Sequence, residues 1–224
     1  GLRASHNQTI KDGLKAAAAE PEILADEAQE LADRFADAPA SQWPNLDSIE
    51  QTSDRELRLI DAIQEGLGQS MEAFPELILM GQDIADYGGV FKVTEGFVER
   101  FGKDRVRNTP LCESAIVGAA LGLSIANKKA MMEMQFSDFV TVGFNQIVNN
   151  LAKIHWRWGQ NADVVVRMPT GGNVGAGPFH SQSTEAWFFH VPGLKIVYPS
   201  SPADAKGLLI RALEDPNPVL FFGD

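Results

Sequence analysis

The run Leu77-Ile78-Leu79-Met80 is wholly apolar, and the polar, glycine-containing segment 81–89 follows it at once. An apolar run of this length before such a break predicts a short strand that is buried on both faces. The residues before it carry apolar side chains at intervals of three and four, which predicts a helix with one buried face. This stripe consists of Ile60, Ile63, Leu67, Met71 and Phe74. A helix that leads directly into a buried strand is typical of α/β proteins.

The same alternation continues through the rest of the sequence. Segments with helical spacing separate further short apolar runs, which span 130–136, 164–168, 194–198 and 219–222. The last helical segment starts at Ser201-Pro202 and has Asp204 in its first turn, as expected of a helix N-terminus. Near-continuous apolar strands joined by helices predict an α/β fold, in which helices cover both faces of a parallel sheet.

The first fifty residues differ from the rest in charge and composition. They contain 10 acidic and 4 basic residues, and they are rich in alanine. This composition predicts two helices, around 9–20 and 22–37, followed by a linker at 38–45. The predicted organisation is an acidic helical extension over 1–53 and an α/β domain over 54–224. The extension is either a solvated helical pair or an arm that packs on another subunit or domain.

The chain has 224 residues, a hydrophobic fraction of 44% and a formal net charge of −11. The acidic balance argues against a nucleic-acid-binding protein, because phosphate binding needs a positive surface. No apolar run approaches the ~18 residues of a membrane span, and we expect no secretory leader. The single cysteine, Cys112, excludes an internal disulfide and a cysteine-rich zinc site. These features predict a cytoplasmic protein without a membrane span.

Ligands of open parallel sheets bind beyond the carboxyl ends of the strands. The segments at those positions here are 81–89, 108–113, 135–139 and 169–180. Together they hold a glutamate, aromatic rings, glycines and a histidine, which suits the rim of a pocket. The glycine-rich segment lacks the Lys-Ser/Thr ending of a P-loop and does not fit GxGxxG. The sequence also lacks HExxH and GxSxG motifs, so a metal hydrolase or a serine hydrolase has little support.

Glu113 is the most informative acidic residue among these segments. It follows Leu111 and Cys112 and precedes Ile116 at the predicted start of a helix. It is either a first-turn carboxylate favoured by the helix dipole or a carboxyl group in an apolar wall that shares a proton with a ligand nitrogen. His180 has two interpretations as well. It is either a hydrogen-bonded structural histidine or an acid/base beside a cleft.

Five segments together resemble one known family: MGQDIADYGGVFKVT (80–94), RVRNTPLCE (105–113), EMQFSDF (133–139), HSQSTEAWF (180–188) and PGLKIVYPSSPADAKGL (192–208). They resemble the β subunit of the thiamine-diphosphate-dependent 2-oxo acid dehydrogenases, over its pyrimidine-binding domain. The match covers roughly 54–222, and the form NTPLCE is more similar to the branched-chain (2-oxoisovalerate) enzymes than to the pyruvate enzymes. The first fifty residues resemble the acidic tail of the family's α subunit, which suggests a piece of an α–β fusion chain.

The resemblance implies site residues and cofactors. Thiamine diphosphate loses a proton from its thiazolium carbon, and a glutamate at the pyrimidine assists; by resemblance this is Glu113. Phe139 matches the aromatic residue against the pyrimidine, and Gln135 falls near the reacting centre. His180 matches the histidine that handles protons during acyl transfer. The family's structural potassium ion would be held by backbone carbonyls of Val164, Ala212, Asp215 and Asn217.

The resemblance also implies partners. The family binds the diphosphate and magnesium through a GDG…N motif on the α subunit, and GDG does not occur in this sequence. The chain is therefore expected to supply half a site. It would act with an α subunit or fused α domain, a second β copy and a lipoyl-bearing acyltransferase, on a small 2-oxo acid. The alternatives are another thiamine-dependent enzyme (transketolase-like or acetoin dehydrogenase) and a non-catalytic assembly module.

Overall fold

The computed structural model describes residues 1–41, 56–171 and 174–223, which form two compact units, 1–32 and 33–224. The first unit contains helices α1 (Leu2–Ala19) and α2 (Glu27–Ala32), and all of its residues are exposed. Both helices differ from their predicted bounds. Helix α1 starts earlier, at Leu2. Helix α2 starts later, because Asp26 Oδ1 accepts hydrogen bonds from the backbone N–H groups of Ala28 (3.0 Å) and Gln29 (3.2 Å).

The second unit is built on a six-stranded sheet in its described part. All of the strand pairs are parallel, and the order across the sheet is β2-β1-β3-β4-β6-β5. The strands are β1 (Ile78–Gly81), β2 (Val106–Asn108), β3 (Ala130–Glu133), β4 (Val164–Pro169), β5 (Lys195–Val197) and β6 (Val219–Gly223). Each apolar run in the sequence became a strand, so the predicted parallel sheet is confirmed.

Helices cover both faces of the sheet, as predicted. They are α3 (Leu59–Ala73), α4 (Phe97–Phe101), α5 (Glu113–Ile125), α6 (Val140–Asn145), α7 (Ile154–Trp158) and α8 (Pro202–Glu214). Helices α3 and α8 bury one core with alternate strand residues such as Leu79 and Met131. Helix α5 and the segment 140–154 bury the other core against residues such as Met80 and Met132. This alternation follows from the period of two along a strand.

The residues Phe144, Ile147, Leu151, Ile154 and Trp158 have the spacing of a single helix in the sequence, but the structure divides this segment. A π-helical turn, Gln146–Leu151, separates α6 from α7. At its end, Ala152 meets the turn at Gly193, whose backbone φ is +90°. A Cβ atom at Gly193 would lie 1.9 Å from the Ala152 carbonyl oxygen. Only glycine therefore fits this close approach of two backbones.

Gly193→Ala is expected to lower the free energy of unfolding by more than about 3 kcal/mol, because the clash adds to the strain of a positive φ. Gly159→Ala is the matched control. Gly159 also has a positive φ, of +65°, but a Cβ there would meet nothing within 4 Å. Gly159→Ala should lower the free energy of unfolding by about 1 kcal/mol, from backbone strain alone. Urea denaturation measures both, and equal losses would contradict the predicted backbone contact.

Residues 33–41 are part of the second unit. Ala36 exchanges two hydrogen bonds with the side chain of Asn217, at 2.7 and 2.9 Å. Ser41 Oγ donates to Glu214 Oε2 at 2.6 Å. The predicted linker therefore begins in a segment that is hydrogen-bonded to the end of α8 and the following turn. The boundary predicted after residue 53 lies outside the described residues. Within the ranges that the structure describes, no helix is long and apolar enough to cross a membrane.

Candidate active site

The carboxyl edge of the sheet brings Gln82 and Glu113 together. Gln82 directly follows β1, and Glu113 is the first residue of α5. Gln82 Nε2 donates a hydrogen bond to Glu113 Oε1 at 3.1 Å, and the two residues are 5% and 9% exposed. Gln82 Oε1 is buried and has no hydrogen-bond partner among the residues that the structure describes. The pair is therefore a shielded carboxyl group beside an unsatisfied acceptor.

The apolar neighbours of Glu113 in the sequence differ in burial. Ile116 is buried, and Cys112 packs partly against the same core. Leu111 instead is 78% exposed; it lies in the bend before α5, outside the helix. Helix α6 packs closely on α5, because a Cβ atom at Gly143 would lie 3.3 Å from Val117 Cγ2 and 3.7 Å from the backbone carbonyl oxygen of Glu113.

Gln135 lies on the same edge of the sheet, just beyond β3. Its side chain is half-buried, and Gln135 Nε2 donates to Asp83 Oδ2 at 3.0 Å. Asp83 has a φ of +58° and accepts a hydrogen bond from the Gly89 backbone N–H at 2.8 Å. The loop after β1 is therefore tied to the end of β3. The side-chain amide of Gln135 is therefore a polar group at the carboxyl edge of the sheet.

Phe139 and His180 meet in a cluster of aromatic rings. The His180 ring packs edge-to-face against Phe136 and Phe139, with centroid distances of 5.0 and 5.5 Å. Phe136 also contacts Phe139 at 5.9 Å and Phe91 at 5.5 Å. Such contacts restrict the orientation of the imidazole. The structure thus brings together a histidine and an aromatic residue that lie 41 positions apart in the sequence.

The four residues predicted to bind potassium lie around the opposite, amino edge. Strand β4 begins at Val164, and its next residue, Val165, pairs with Val219 at the start of β6. Ala212, Asp215 and Asn217 belong to the end of α8 and to the turn that leads into β6. Asp215 accepts hydrogen bonds from Lys195 Nζ, and from the backbone N–H (2.9 Å) and side-chain Nδ2 (2.8 Å) of Asn217. Both polar side chains are therefore already hydrogen-bonded.

Asp163, at the amino edge, has a carboxyl group whose pKa is shifted by its surroundings. Burial raises the pKa of Asp163 to about 6, although Lys129 Nζ lies 2.7 Å from the carboxylate and acts in the opposite direction. In the part of the chain that the structure describes, no three His, Cys, Asp or Glu side chains cluster as a metal site would require. The amino edge thus has a charge arrangement separate from that of Glu113.

Several residues at the carboxyl edge were not predicted from the sequence. Phe136 organises the aromatic cluster, and Gln82 holds Glu113, yet neither stands out by spacing. Glu133 and Arg167 form a buried ion pair, with Arg167 Nη1 donating to Glu133 Oε2 at 2.6 Å. Both residues lie within runs that otherwise predict apolar strands. A charge inside such a run is a signal that could have indicated a buried partner.

The sequence matches the family model described as "Transketolase, pyrimidine binding domain" over residues 55–224. It is 47% identical over 165 residues to "2-oxoisovalerate dehydrogenase subunit beta" of Bacillus subtilis (strain 168), covering 73% of this chain and 50% of that protein. It is 44% identical over 182 residues to "2-oxoisovalerate dehydrogenase subunit beta 2, mitochondrial" of Arabidopsis thaliana, covering 79% and 51%. The chain thus spans about half the length of the curated relatives it matches.

A solved structure has the same fold. The chain titled "Split gene transketolase, inactive beta4 tetramer" superposes with a TM-score of 0.59 and 17% identity, covering 75% of this chain and 51% of that one. A "Pyruvate dehydrogenase E1 component subunit beta" of Leifsonia xyli subsp. xyli (strain CTCB07) is 42% identical over 168 residues, covering 74% of this chain and 50% of that protein. The resemblance to β subunits of 2-oxo acid dehydrogenases is confirmed by these relatives. From residue 55 onward, the chain belongs to the family of the transketolase pyrimidine-binding domain.

Proposed function

We propose that this chain supplies the pyrimidine-binding half of the active site of a 2-oxo acid dehydrogenase. The observation that carries the proposal is the buried Glu113 at the carboxyl edge of a parallel sheet, hydrogen-bonded to Gln82. A branched-chain 2-oxo acid is the favoured substrate class, because relatives named 2-oxoisovalerate dehydrogenase reach 47% identity. Pyruvate is the second, because a relative named for pyruvate reaches 42%.

The residues at this edge fit the pyrimidine of thiamine diphosphate. The buried Gln82 Oε1 lacks a donor among the described residues, and an aminopyrimidine carries N–H donors. The half-buried Phe139 offers an aromatic ring in the same region. When bound, thiamine diphosphate supplies a carbon nucleophile that attacks the carbonyl carbon of the 2-oxo acid. Glu113, Phe139 and Gln135 are the residues of this chain that would hold it.

Each residue has a separate proposed role. The Glu113 carboxyl group, which is shielded from bulk water, would share a proton with a pyrimidine nitrogen. Gln135 offers its amide to polar groups near the reacting centre. The His180 imidazole takes and returns protons while the acyl group passes to a lipoyl thiol. The edge-to-face contacts of His180 with Phe136 and Phe139 support this role, because they fix the ring direction.

Other parts of the site are proposed to come from partners. Magnesium and the diphosphate would be held by an α subunit or a fused α domain, since the GDG motif is absent from this sequence. Residues 1–53 are proposed to be the tail of that α part, and 54–224 the β domain. A second β copy and a lipoyl-bearing acyltransferase complete the assembly. The proposed location is the cytoplasm, which fractionation of source cells tests.

A potassium ion is proposed at the amino edge, on the backbone carbonyls of Val164, Ala212, Asp215 and Asn217. The strand register supports this set, because it makes the start of β4 a neighbour of the turn before β6. The hydrogen-bonded side chains of Asp215 and Asn217 would hold that turn in shape. Carbonyl oxygens suit a hard cation. Elemental analysis of the native protein tests this site, and the absence of potassium would contradict it.

Two other functions use the same fold. A transketolase-like enzyme or an acetoin dehydrogenase would also need a carboxyl group such as Glu113 at the pyrimidine. An assembly module would need neither Glu113 nor His180. The mass and cofactor content of the native protein separate these classes first. We expect a longer chain or an α partner, with thiamine diphosphate and magnesium bound. A native 224-residue chain that takes up no cofactor would contradict the enzymatic proposal.

The substrate class is tested by reductive acylation of a lipoyl acceptor by the complete assembly. We expect kcat/KM for 2-oxoisovalerate to exceed that for pyruvate by about 10-fold or more, since each buried methylene group contributes roughly 1 kcal/mol of binding. Acylation with pyruvate as the better substrate would move the assignment to the pyruvate class. Turnover of 2-oxo acids without lipoyl acylation would instead favour the other thiamine-dependent enzymes.

A further inference from the structure

Gln182 is fixed by four hydrogen bonds from two neighbouring strand ends. Asp138 Oδ1 accepts from the Gln182 backbone N–H at 3.2 Å and from Gln182 Nε2 at 2.9 Å. The Gln182 carbonyl oxygen accepts from Ser137 Oγ at 3.0 Å and from Thr170 Oγ1 at 2.9 Å. Ser137 and Thr170 lie just beyond β3 and β4. Gln182 is therefore held by both strands, although it lies in a loop.

The turn that holds Gln182 also holds the ring of His180. Residues 136–139 contain Asp138, which binds Gln182, and the two phenylalanines whose rings contact His180 at 5.0 and 5.5 Å. His180 is only two residues before Gln182. Displacement of Gln182 would therefore pull the imidazole away from Phe136 and Phe139. Among the residues that the structure describes, the His180 backbone N–H donates one hydrogen bond, to the Gly177 carbonyl oxygen at 3.3 Å, within the same loop.

The burial of the Asp138 carboxylate at this position is energetically unfavourable. It is 6% exposed, and its second oxygen, Oδ2, has no hydrogen-bond partner within the described ranges. A buried carboxylate with an unpaired oxygen costs free energy. A hydrogen bond that a carboxylate accepts is about twice as strong as a neutral one. The charge thus gives a firmer hold on Gln182 than a neutral side chain would.

We propose that Asp138 is a positioning residue: through Gln182, it fixes His180 against Phe136 and Phe139. The consequence for acyl transfer rests on the function proposed for His180 above. Asp138 does not touch the reacting atoms in this arrangement. Asp138 affects the reacting atoms indirectly, because it determines the orientation of the His180 imidazole. A misplacement of about 1 Å in a catalytic group can lower the rate by ~10²-fold.

Exchanging the amide and the carboxylate between residues 138 and 182 tests, on this chain without partners, whether Asp138 positions His180. Gln182→Glu sets two carboxyl groups against each other, and we expect the loop to move because like charges repel at this distance. Adding Asp138→Asn to Gln182→Glu restores one amide and one carboxylate in reversed order. The control, Gln160→Glu, adds the same charge near the opposite edge of the sheet, where Gln160 Nε2 bonds the Asn161 carbonyl oxygen.

The readout is the NMR spectrum of the histidine rings at pH 8, where ring currents of Phe136 and Phe139 displace the His180 signals. In Gln182→Glu, we expect these signals to move most of the way to those of the exposed His6. The double variant should return them, and the control should leave them in place. His180 signals that stay unchanged in Gln182→Glu, or that the double variant fails to restore, would overturn the proposed hold on His180.

The second readout is reductive acylation by the complete assembly. Gln182→Glu should lower kcat by about 100-fold with KM little changed, and the double variant should recover most of that loss. A displaced His180 with full acylation activity would overturn the catalytic consequence. A parent assembly without acylation activity would contradict the proposed function instead, while the NMR result would still decide whether Asp138 holds His180.

Discussion

Glu113→Gln is expected to lower the rate of 2-oxo acid decarboxylation by the complete assembly by about 10²–10⁴-fold. Glutamine has nearly the same shape and can keep the hydrogen bond from Gln82, which is 3.1 Å long in the parent. It cannot share a proton with a pyrimidine nitrogen, because its amide does not take part in acid–base exchange. Single-turnover decarboxylation, with saturating cofactor, measures the chemical step.

The control for Glu113→Gln is Glu99→Gln, which removes the same charge from an exposed position on α4. The control should keep full activity. Thermal unfolding and subunit association of both variants should match those of the parent, since the substitution adds no volume. An active Glu113→Gln assembly would contradict the proposed role of Glu113, and it would favour the assembly-module interpretation.

Arg167→Met is expected to lower the free energy of unfolding by about 3–5 kcal/mol, because it leaves the Glu133 carboxylate buried without its partner. Arg167 and Glu133 are directly opposite each other in the β3–β4 register. Their side chains are only 2% and 5% exposed, and their charged atoms lie 2.6 Å apart. Urea denaturation of the 224-residue chain measures the loss.

Two controls separate the lost pair from other effects of Arg167→Met. The double variant Arg167→Met with Glu133→Leu removes both charges, so its stability should recover to near that of the parent or above it. Lys103→Met breaks an exposed pair with Asp86, whose side chains are 71% and 68% exposed. It should cost less than about 1 kcal/mol. A double variant as unstable as Arg167→Met would show that the unpaired charge is not the cause.

The sequence predicted the fold because its signals are local. A run such as 77–80 is apolar over its whole length, and a strand buried on both faces needs no other information. The start of α8 was equally clear from Ser201-Pro202 and Asp204 in the sequence. In the structure, Ser201 Oγ accepts a hydrogen bond from the Asp204 backbone N–H at 3.1 Å, and Pro202 is the first helical residue. The bounds of α1 and α2 were less well predicted, because alanine-rich, exposed segments lack a buried face to mark their ends.

The candidate site was only partly predictable. Glu113 could be found because it is an acidic residue in a segment expected at the carboxyl edge of the sheet, next to the apolar residues Leu111, Cys112 and Ile116. The exposure of Leu111 could not be foreseen, since the sequence does not show how the segment before α5 packs. Gly143, which lets α6 approach α5 at Val117, has no signature before the two helices are seen together.

The sequence by itself determined the alternation of strands and helices, and with it the strand ends where a ligand would bind. Only the tertiary structure decided which side chains meet there. Gln82 and Glu113 are 31 positions apart, Glu133 and Arg167 are 34 apart, and Asp138 and Gln182 are 44 apart. Such contacts depend on strand order and register, which are set by packing over the whole sheet. Periodicity reports which face of an element is buried, but it carries no information about its neighbour.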